Sequence, residues 1–559
     1  MRSRWGCLVV LAACARPAPA QAPASAPAPA PPPVVVAAAP APALPTRLAI
    51  DVTTDGAVED RVVVELRLAG RLAATTALVF RPSHRVAIGD VEARDEDGPI
   101  AVDASLKLAR PGRRELRVRY AVTFTPSPSP SPSPSPLPAD ATAPAAESIE
   151  LHAAGDDLLA LPELDEHVPV ELKLRTAGMG PGGASSFGLG ADQRFEARTS
   201  ELHNAYFLAG DVGTATFHAP DGDDFTAWVG HTAFDPRWIG AEAAATRSAI
   251  DAYVGRHAGR GSAPLSLLVV PAKRDDPPVV VAPRTRGLFV SADRRAVWTA
   301  PIRILVGQAL AQRYLGGFLW VGARDAAREG EGWFFSEGFA RAVSRDVLFD
   351  LGMIEASDRA NELNELLAAI AFAPDERRVA LARGALLATA LDVAARKNGS
   401  SLRQFLRERL ADAAAKKTDT IARDDFVAHA RRAAGDAFAD AMTATLTRGA
   451  EVPLPPDLLG RCWRLARKQL VPFELGFVTT AGQDLVVESV KPGSRAAAAG
   501  VRKGDIVRNL DYRNGQSASP VKMTLLRGER SLTLTFLPAG AAKPGRIFER
   551  IPAIPDDRC

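Results

Sequence analysis

Two short segments near the middle of the chain constrain its fold more than any other feature. Residues 304–316 form an apolar run in which Gln308 and Gln312 are spaced four apart, so a helix would present both side chains on one face. Residues 333–340 read Trp-Phe-Phe-Ser-Glu-Gly-Phe-Ala and contribute one carboxylate, Glu337. Two ligands at i and i+4 are the arrangement by which one helix binds zinc. Taken alone, the apolar run is equally typical of an ordinary packed helix.

The order of the parts along the chain supplies the context. A β-rich half precedes the two segments, and a helical region and a small β unit follow them. Residues 333–340 resemble the W-x-x-E-G-F-[AT] motif of gluzincin metallopeptidases, and the order of parts resembles the glycyl aminopeptidase family. The resemblance covers most of the chain after its leader. It implies a thermolysin-like α+β domain with a helical subdomain, and it places Glu337 where the family has its third zinc ligand.

The zinc motif itself is degenerate in this comparison. Gln308 and Gln312 stand where the family has the two histidines of H-E-x-x-H, and Ala309 stands where it has the catalytic glutamate. Zinc is normally bound by thiolate, imidazole or carboxylate, and a neutral amide is a poor substitute. Alanine cannot act as the general base that activates a zinc-bound water. We therefore predict no catalytic residue and no metal cofactor.

Further positions bear on the same comparison. The substrate-facing G-[LM]-E segment of the family matches Gly287-Leu288-Phe289, which replaces the carboxylate with a ring. The transition-state tyrosine of the family matches Leu381, three residues before Gly384. Glu331 is an alternative to Glu337 by spacing, but it lacks the tryptophan context, so we prefer Glu337.

Composition excludes several classes of function. The 559 residues are 47% hydrophobic and 24% charged, which is typical of a multidomain globular protein. The net charge of +3 is spread along the chain, so no nucleic-acid partner is expected. No apolar stretch approaches the roughly 20 residues that span a bilayer.

The first 20 residues have the composition of an export signal. Arg2 and Arg4 precede a short apolar run, and the segment Leu11-Ala12-Ala13-Cys14 resembles the lipobox of bacterial lipoproteins. We expect lipidation at Cys14, with cleavage after Ala20 as the alternative. Residues 21–46 are almost entirely Ala, Pro and Val, which predicts a disordered tether. The sequence thus predicts an exported protein of the periplasm or outer cell envelope, attached to a membrane by a lipid anchor.

Changes of periodicity predict three folded domains of a multidomain α+β protein. Residues 47–236 should form an antiparallel β domain, because 61–68 and 115–122 alternate as half-buried strands do. The Pro-Ser run at 126–138 is interpreted as an insertion in this domain, with a domain linker as the alternative. Residues 237–452 should form the gluzincin-like domain, with helices at 302–315 and 425–446 among others. Residues 468–540 should form a third unit, followed by a tail at 541–559.

The third unit resembles a PDZ domain. Leu475, Gly476 and Phe477 match the carboxylate-binding loop, and residues 494–507 match a segment common in bacterial PDZ domains. Such a loop captures a terminal carboxylate while the peptide adds a strand to the sheet. Only residues 516–520 are available for the helix that walls the groove, and five residues are too few. A cap without peptide binding is therefore the alternative.

Two cysteines lie in the predicted folded region, Cys462 and Cys559. In an oxidising compartment we expect them to form a disulfide, with two free thiols as the alternative.

Together these features predict a pseudo-metallopeptidase that binds a protein or peptide ligand or acts as a scaffold. An active zinc aminopeptidase with an atypical metal site is one alternative, and a purely structural envelope protein is another. The active enzyme would need distant histidines to converge on Glu337, and the candidates are His152, His167, His203, His218 and His231.

Overall fold

The computed structural model describes most of the chain after residue 44. The described residues are 45–54, 61–82, 86–124, 151–176, 182–219, 222–232, 234–255, 264–272, 279–293, 295–324, 329–480, 485–513 and 515–554. The predicted leader with Cys14, the tether up to residue 44, the Pro-Ser insertion at 126–138 and Cys559 lie outside them. Among the described helices, none has the length and apolar character needed to cross a membrane.

The N-terminal part is built mainly from strands. Its elements are β1 (Arg47–Thr54), β2 (Arg61–Ala69), β3 (Val86–Asp95), β4 (Gly98–Ile100), β5 (Glu115–Phe124), β6 (Leu151–Ala154), α1 (Gly155–Leu158), β7 (Val168–Arg175), β8 (Gly182–Ser185), β9 (Gly188–Leu189), β10 (Asp192–Ala197), α2 (Thr199–His203) and β11 (Tyr206–Gly210). One sheet has the order β10-β7-β1-β2-β5-β3-β4, and a smaller one has the order β6-β11-β8-β9.

Alternation along the strands builds the core of this part. Ile50 lies opposite Leu66 in the β1–β2 pair, and both side chains are buried with Val64 and Val118. The strands predicted at 61–68 and 115–122 are present as β2 and β5. The prediction of a purely antiparallel domain is corrected in one respect, because β1 pairs with β7 in parallel. A parallel pair needs a crossover, and here the chain from β2 to β6 supplies it.

A mixed sheet follows. Its elements are β12 (Gly213–Phe217), β13 (Asp224–Trp228), α3 (Pro236–Val254), β14 (Ser266–Pro271), β15 (Val279–Arg284), β16 (Gly287–Ala292) and α4 (Ala300–Ala311). The strand order is β12-β13-β14-β16-β15, with β13, β14 and β16 parallel. Leu267 and Val269 face the helices, whereas Leu268 and Val270 face the smaller N-terminal sheet. The boundary predicted at residue 236 therefore cuts through this sheet, which begins at β12.

The helical region continues from α4. It contains β17 (Trp320–Val321), a π-helix (Phe334–Phe339), α5 (Ala340–Asp350), α6 (Ala356–Phe372), α7 (Glu376–Lys397), α8 (Leu402–Lys416), β18 (Thr420–Ile421), α9 (Arg423–Ala434) and α10 (Asp436–Arg448). Phe335, Phe339 and Phe405 surround the ring of Phe426 at centroid distances of 5.2–5.5 Å. The single helix predicted at 425–446 is two helices, because Gly435 at φ 88° breaks it.

The C-terminal part is a small sheet joined to the helical region by a two-stranded ribbon. Its elements are β19 (Trp463–Leu470), β20 (Phe477–Thr479), β21 (Leu485–Val490), α11 (Arg495–Ala499), β22 (Ile506–Asp511), β23 (Val521–Arg527), β24 (Arg530–Phe536) and β25 (Lys543–Arg550). Strand β25 pairs with β19, and the Asn364 side chain bonds both the backbone N–H and the carbonyl of Phe548. Much of the predicted tail at 541–559 is therefore a strand that anchors the unit.

Candidate functional site

Helix α4 carries the positions that correspond to the degenerate zinc motif. Pro301 lies in its first turn, where the missing N–H costs no hydrogen bond. Gln308 and Ala309 are buried in its last turns, with 8% and 4% of their surface exposed. The helix ends at Ala311, earlier than the predicted 315, so Gln312 is its C-terminal capping residue. The two glutamines therefore lie in different local settings, the first buried and the second half-buried.

Glu337 lies in the π-helix that leads into α5. Gly338 approaches α7 so closely that a Cβ atom there would lie 2.6 Å from the Cα of Gly384. This contact fixes the π-helix against α7, and it buries Glu337 to 8% exposure. Glu331, the alternative carboxylate, lies exposed in a short 3₁₀-helix at Glu329–Gly332.

A guanidinium group pairs with the carboxylate of Glu337. Arg377, at the start of α7, places its Nε 2.5 Å from Glu337 Oε1. The Arg377 side chain is 64% exposed, and its guanidinium carbon lies 5.6 Å from the centre of the Trp333 ring. The carboxylate that the sequence comparison assigns to a metal thus has an organic cation beside it.

A second arginine reaches Gln308. Arg341 Nη1 donates to Gln308 Oε1 at 3.3 Å, and Arg341 Nε donates to Glu362 Oε1 at 3.1 Å. Glu362 also accepts from Arg345, whose side chain is fully buried and donates to Thr389 as well. Burial alone would lower the pKa of Arg345, but the carboxylates around it outweigh this effect and raise the pKa. The result is a network in which Gln308 is hydrogen-bonded to Arg341, and Arg341 and Arg345 form ion pairs with Glu362.

These residues do not fit a catalytic zinc ion. The amide oxygen of Gln308 accepts from Arg341, Glu337 is paired with Arg377, and Ala309 offers no ligand or base. Gln312 contributes only a neutral amide, which is a poor zinc ligand. In the described part of the chain, no group of three or more His, Cys, Asp or Glu side chains could hold a metal ion.

Four of the five distant histidines lie beside polar side chains of the N-terminal half, among them His167, 3.4 Å from Glu201. His152 lies 3.2 Å from the hydroxyl of Tyr206, and His218 lies 2.8 Å from Asp223. His203 is buried beside Asp156, and burial lowers its pKa. The described residues thus contain no set of side chains that could bind a catalytic zinc ion.

Phe289 and Leu381, the other two positions from the sequence comparison, lie in β16 and α7. Phe289 lies on β16, between β14 and the edge strand β15, and its ring packs against Tyr206 at 4.2 Å. It therefore faces the N-terminal sheet, whereas its neighbours Leu288 and Val290 face the helices. Leu381, on α7, is half-buried against the core.

The loop of Leu475, Gly476 and Phe477 leads into β20 at the edge of the C-terminal sheet. Gly476 has φ 79°, and its carbonyl accepts from the backbone of Lys491 and the hydroxyl of Ser494. In the described residues between β22 and β23, the chain forms turns and no helix.

Cys462 is buried at 3% exposure and is disulfide-bonded. Cys559, the partner that the sequence predicts, lies outside the described residues. The identity of the partner stays a prediction.

Sequence reasoning missed the arginines that surround the two key positions. Arg341 and Arg345 follow Glu337 at spacings of four and eight, so they continue the same face of the helix. Their partners include Gln308 and Glu362, whereas Glu337 pairs with Arg377, so this spacing gave no signal of the pair at Glu337. Arg377 and Glu362 lie on other helices, and no local spacing indicates them.

Comparisons with known proteins support this description of the fold. No family model and no curated protein matches the chain. Among solved structures, an aminopeptidase N family protein from Idiomarina loihiensis is similar with a TM-score of 0.61 and 14% identity, over 90% of this chain and 98% of that one. An M1 zinc metallopeptidase from Deinococcus radiodurans, bound to Tyr-Ser-Ala, has a TM-score of 0.43 and 15% identity over 74% of this chain and 94% of that one.

The fold is therefore that of the aminopeptidase N metallopeptidases, which confirms the gluzincin-like, multidomain α+β architecture expected from the sequence. At 14% identity this likeness establishes the fold alone, and activity has to be argued from the site.

Proposed function

We propose that this chain is a non-catalytic relative of the aminopeptidase N metallopeptidases that binds a peptide or protein ligand in the cell envelope. One observation carries the proposal. Gln308 and Glu337, two of the three positions that would hold zinc, are instead tied to Arg341 by a hydrogen bond and to Arg377 by an ion pair. A guanidinium beside Glu337 repels a divalent cation and competes with it for the carboxylate.

The same arginine supports a binding role. Arg377 is 64% exposed and lies over the Trp333 ring, so it can exchange Glu337 for the carboxylate of a ligand. Arg378, its exposed neighbour on α7, adds a second positive charge at this surface. Acidic or C-terminal groups of a partner protein are therefore the chemistry that this surface would recognise.

The remaining parts of the proposal concern location and the C-terminal unit. We propose lipidation at Cys14 and attachment to a membrane of the envelope, because the lipobox follows the apolar run of the leader directly. A PDZ-like role for Leu475, Gly476 and Phe477 is supported by the edge position of β20, which leaves backbone groups for an added strand. The ribbon of β19 and β25 supports the alternative, a cap that stabilises the helical region.

The catalytic part of the proposal is tested by chemistry on the purified protein. We expect elemental analysis to find substoichiometric zinc, and we expect no release of N-terminal residues from peptide amides. Stoichiometric zinc together with chelator-sensitive release of N-terminal residues would overturn the proposal and establish the active aminopeptidase.

The binding part is tested by capture of partners from detergent-solubilised cells. Arg377→Glu reverses the charge at the site, whereas Arg467→Glu reverses a charge that is 79% exposed on the C-terminal ribbon and serves as the control. We expect Arg377→Glu alone to lose the partner. Equal capture by both variants would place binding elsewhere, and no specific capture by the wild type would favour a purely structural protein.

A further inference from the structure

A cavity of about 520 Å³ lies at the end of α5 that is farther from Glu337. Helices α3, α5, α6, α7 and the start of α8 surround it. Its volume lies within the range of about 300–1,000 Å³ that is typical of small-molecule sites. The charged residues that line it are Asp346, Asp350, Asp392, Arg359, Arg396 and Arg403.

The charges of this lining are balanced. Arg396 pairs with Asp392 at 2.7 Å. Asp392 also accepts from the backbone N–H of Leu402, which fixes it at the start of α8. Because the six charges sum to zero, a ligand with a net charge of either sign would meet three like charges. The lining therefore matches a ligand whose own charges cancel.

The other two pairs are looser. Arg359 lies 3.4 Å from Asp346, and Arg403 lies 3.8 Å from Asp350. The side chains of Arg403 and Asp350 are 48% and 65% exposed, so solvent screens their attraction and the pair separates at little cost. A ligand that carries both a cation and an anion can replace Arg359 and Arg403 with its ammonium and Asp350 with its carboxylate, while Asp346 keeps its ion pair with Arg345 at 3.2 Å.

Two polar groups of the lining are available to a ligand. Tyr253 lines the cavity and is only 5% exposed, yet its hydroxyl forms no hydrogen bond with any described residue. The Arg403 guanidinium carbon lies 4.8 Å from the centre of its ring. The Nε of Arg359 likewise has no acceptor among the described residues. Buried polar groups are nearly always paired, so the buried Nε of Arg359 calls for an acceptor, and the Tyr253 hydroxyl is available to a ligand.

We propose that this cavity binds a small zwitterion with a free ammonium and a free carboxylate, namely an amino acid or a short peptide. The ligand carboxylate is held by Arg403 and the Tyr253 hydroxyl, and the ligand ammonium is held by Asp350 and Asp346. This site is separate from the surface at Arg377 and does not depend on the function proposed for that surface.

The proposal is tested by calorimetric titration of the purified full-length protein with alanyl-alanine. N-acetyl-alanyl-alanine keeps the carboxylate and loses the ammonium, and alanyl-alanine amide does the reverse. We expect the free dipeptide to bind about 10-fold or more tightly than either blocked form, because each block removes a charge-assisted contact. L-alanine, titrated in parallel, distinguishes a single amino acid from a short peptide as the preferred ligand.

Variants assign the binding to this cavity. We expect Tyr253→Phe to weaken binding about 3- to 10-fold and Arg403→Gln about 10- to 100-fold, with unchanged circular dichroism. Lys397→Gln removes an exposed charge next to Arg396 outside the lining, and it should bind as the wild type does. Equal affinity for the acetylated dipeptide, no heat at millimolar concentrations, or insensitivity to both Tyr253→Phe and Arg403→Gln would each overturn the proposal.

Discussion

A Cβ atom on Gly384 would lie 1.9 Å from the carbonyl oxygen of Phe334, so α7 crosses the π-helix with no room for a side chain. Both partners are buried helical backbone, which cannot move as a flexible side chain would. We expect Gly384→Ala to lower the free energy of unfolding by about 1–3 kcal/mol or more, as overpacking does. Urea denaturation followed by tryptophan fluorescence measures the change.

Gly89→Ala is the matched control for this substitution. A Cβ atom at Gly89 would have nothing within 4 Å, so its effect should stay within about 0.5 kcal/mol. A Gly384→Ala variant as stable as the wild type would show that the two helices do not cross this closely.

The buried ion pairs give a second prediction about stability. Arg345 is fully buried between Glu362 and Asp346, and Glu362 is itself only 3% exposed. Removing Arg345 leaves Arg341 as the remaining charge partner of Glu362 and Arg359 as that of Asp346, so the cost should lie toward the lower end of the roughly 3–5 kcal/mol typical of breaking a buried pair. We expect Arg345→Gln to reduce stability by this order, measured by denaturation at pH 7.

Arg467→Gln controls for the loss of a surface pair. Arg467 is 79% exposed opposite a carboxylate that is 57% exposed, so the variant should melt as the wild type does. An equally small effect of Arg345→Gln would mean that the buried network contributes little to the fold.

Much of the fold was predictable from the sequence because periodicity and turn residues are local signals. The strands β2 and β5 alternate clearly, and the motif around Glu337 indicated the aminopeptidase-like fold. The domain boundaries were harder to predict. Strands β13 and β25 pair with β14 and β19, which are distant in the chain, and pairing of this kind leaves no local pattern.

The site could be predicted only in part. The sequence showed that Gln308 and Ala309 lack zinc chemistry, since residue type alone decides which atoms can bind a metal. It did not indicate that Arg377 pairs with Glu337, because the two residues are 40 positions apart and lie on different helices. The cavity beside Tyr253 could not be predicted from the sequence for the same reason, because several helices contribute to its lining.

Protonation of His203 should make the N-terminal part sensitive to mild acid. The residue is 9% exposed, and burial lowers the pKa of its imidazole below the ordinary value of 6.5. Below pH 6.5 the unfolded chain therefore binds more protons than the folded chain. The contribution of the neutral imidazole to the free energy of unfolding is fully present above pH 6.5. It is lost as the pH falls through the lowered pKa of His203 in the folded chain. Between pH 7 and pH 5, we expect the melting temperature of His203→Gln to fall less than that of the wild type.

His218 provides a control of opposite sign. Its hydrogen bond to Asp223 raises the pKa, so its contribution is present at low pH and is lost as the pH rises. On acidification, the melting temperature of His218→Gln should fall slightly more than that of the wild type. Identical pH profiles for His203→Gln and the wild type, measured by differential scanning fluorimetry, would contradict the buried neutral imidazole.

The disulfide at Cys462 is expected to join the start of β19 to the end of the chain. The other cysteines are Cys7, Cys14 and Cys559, and the first two lie in the predicted leader. We expect non-reducing peptide mapping by mass spectrometry to recover a peptide that links Cys462 to Cys559. Reduction should lower stability by about 2–4 kcal/mol, as loss of a native disulfide does. Recovery of Cys559 as a free thiol would refute the pairing.

Restoring histidines tests how far the helix pair keeps the geometry of a metal site. Gln308→His combined with Gln312→His supplies two imidazoles at i and i+4, with Glu337 available as the third ligand once Arg377 leaves it. We expect the double variant to bind zinc and the wild type not to, measured by competition with a fluorescent chelator. Adding Arg377→Ala should tighten binding only about 2- to 5-fold, because the pair that it removes is exposed to solvent on the arginine side.

Arg378→Ala is the control for this last step. Arg378 is exposed beside Arg377, and within the described part of the chain it forms no ion pair with Glu337, so its removal should leave the zinc affinity of the double variant unchanged. The second histidine would stand at the C-terminal cap of α4, where the helix ends at Ala311. If the variant with both histidines and Arg377→Ala still takes up no zinc, the early end of α4 has moved that ligand out of position. The site then differs from a metallopeptidase in its backbone as well as in its side chains.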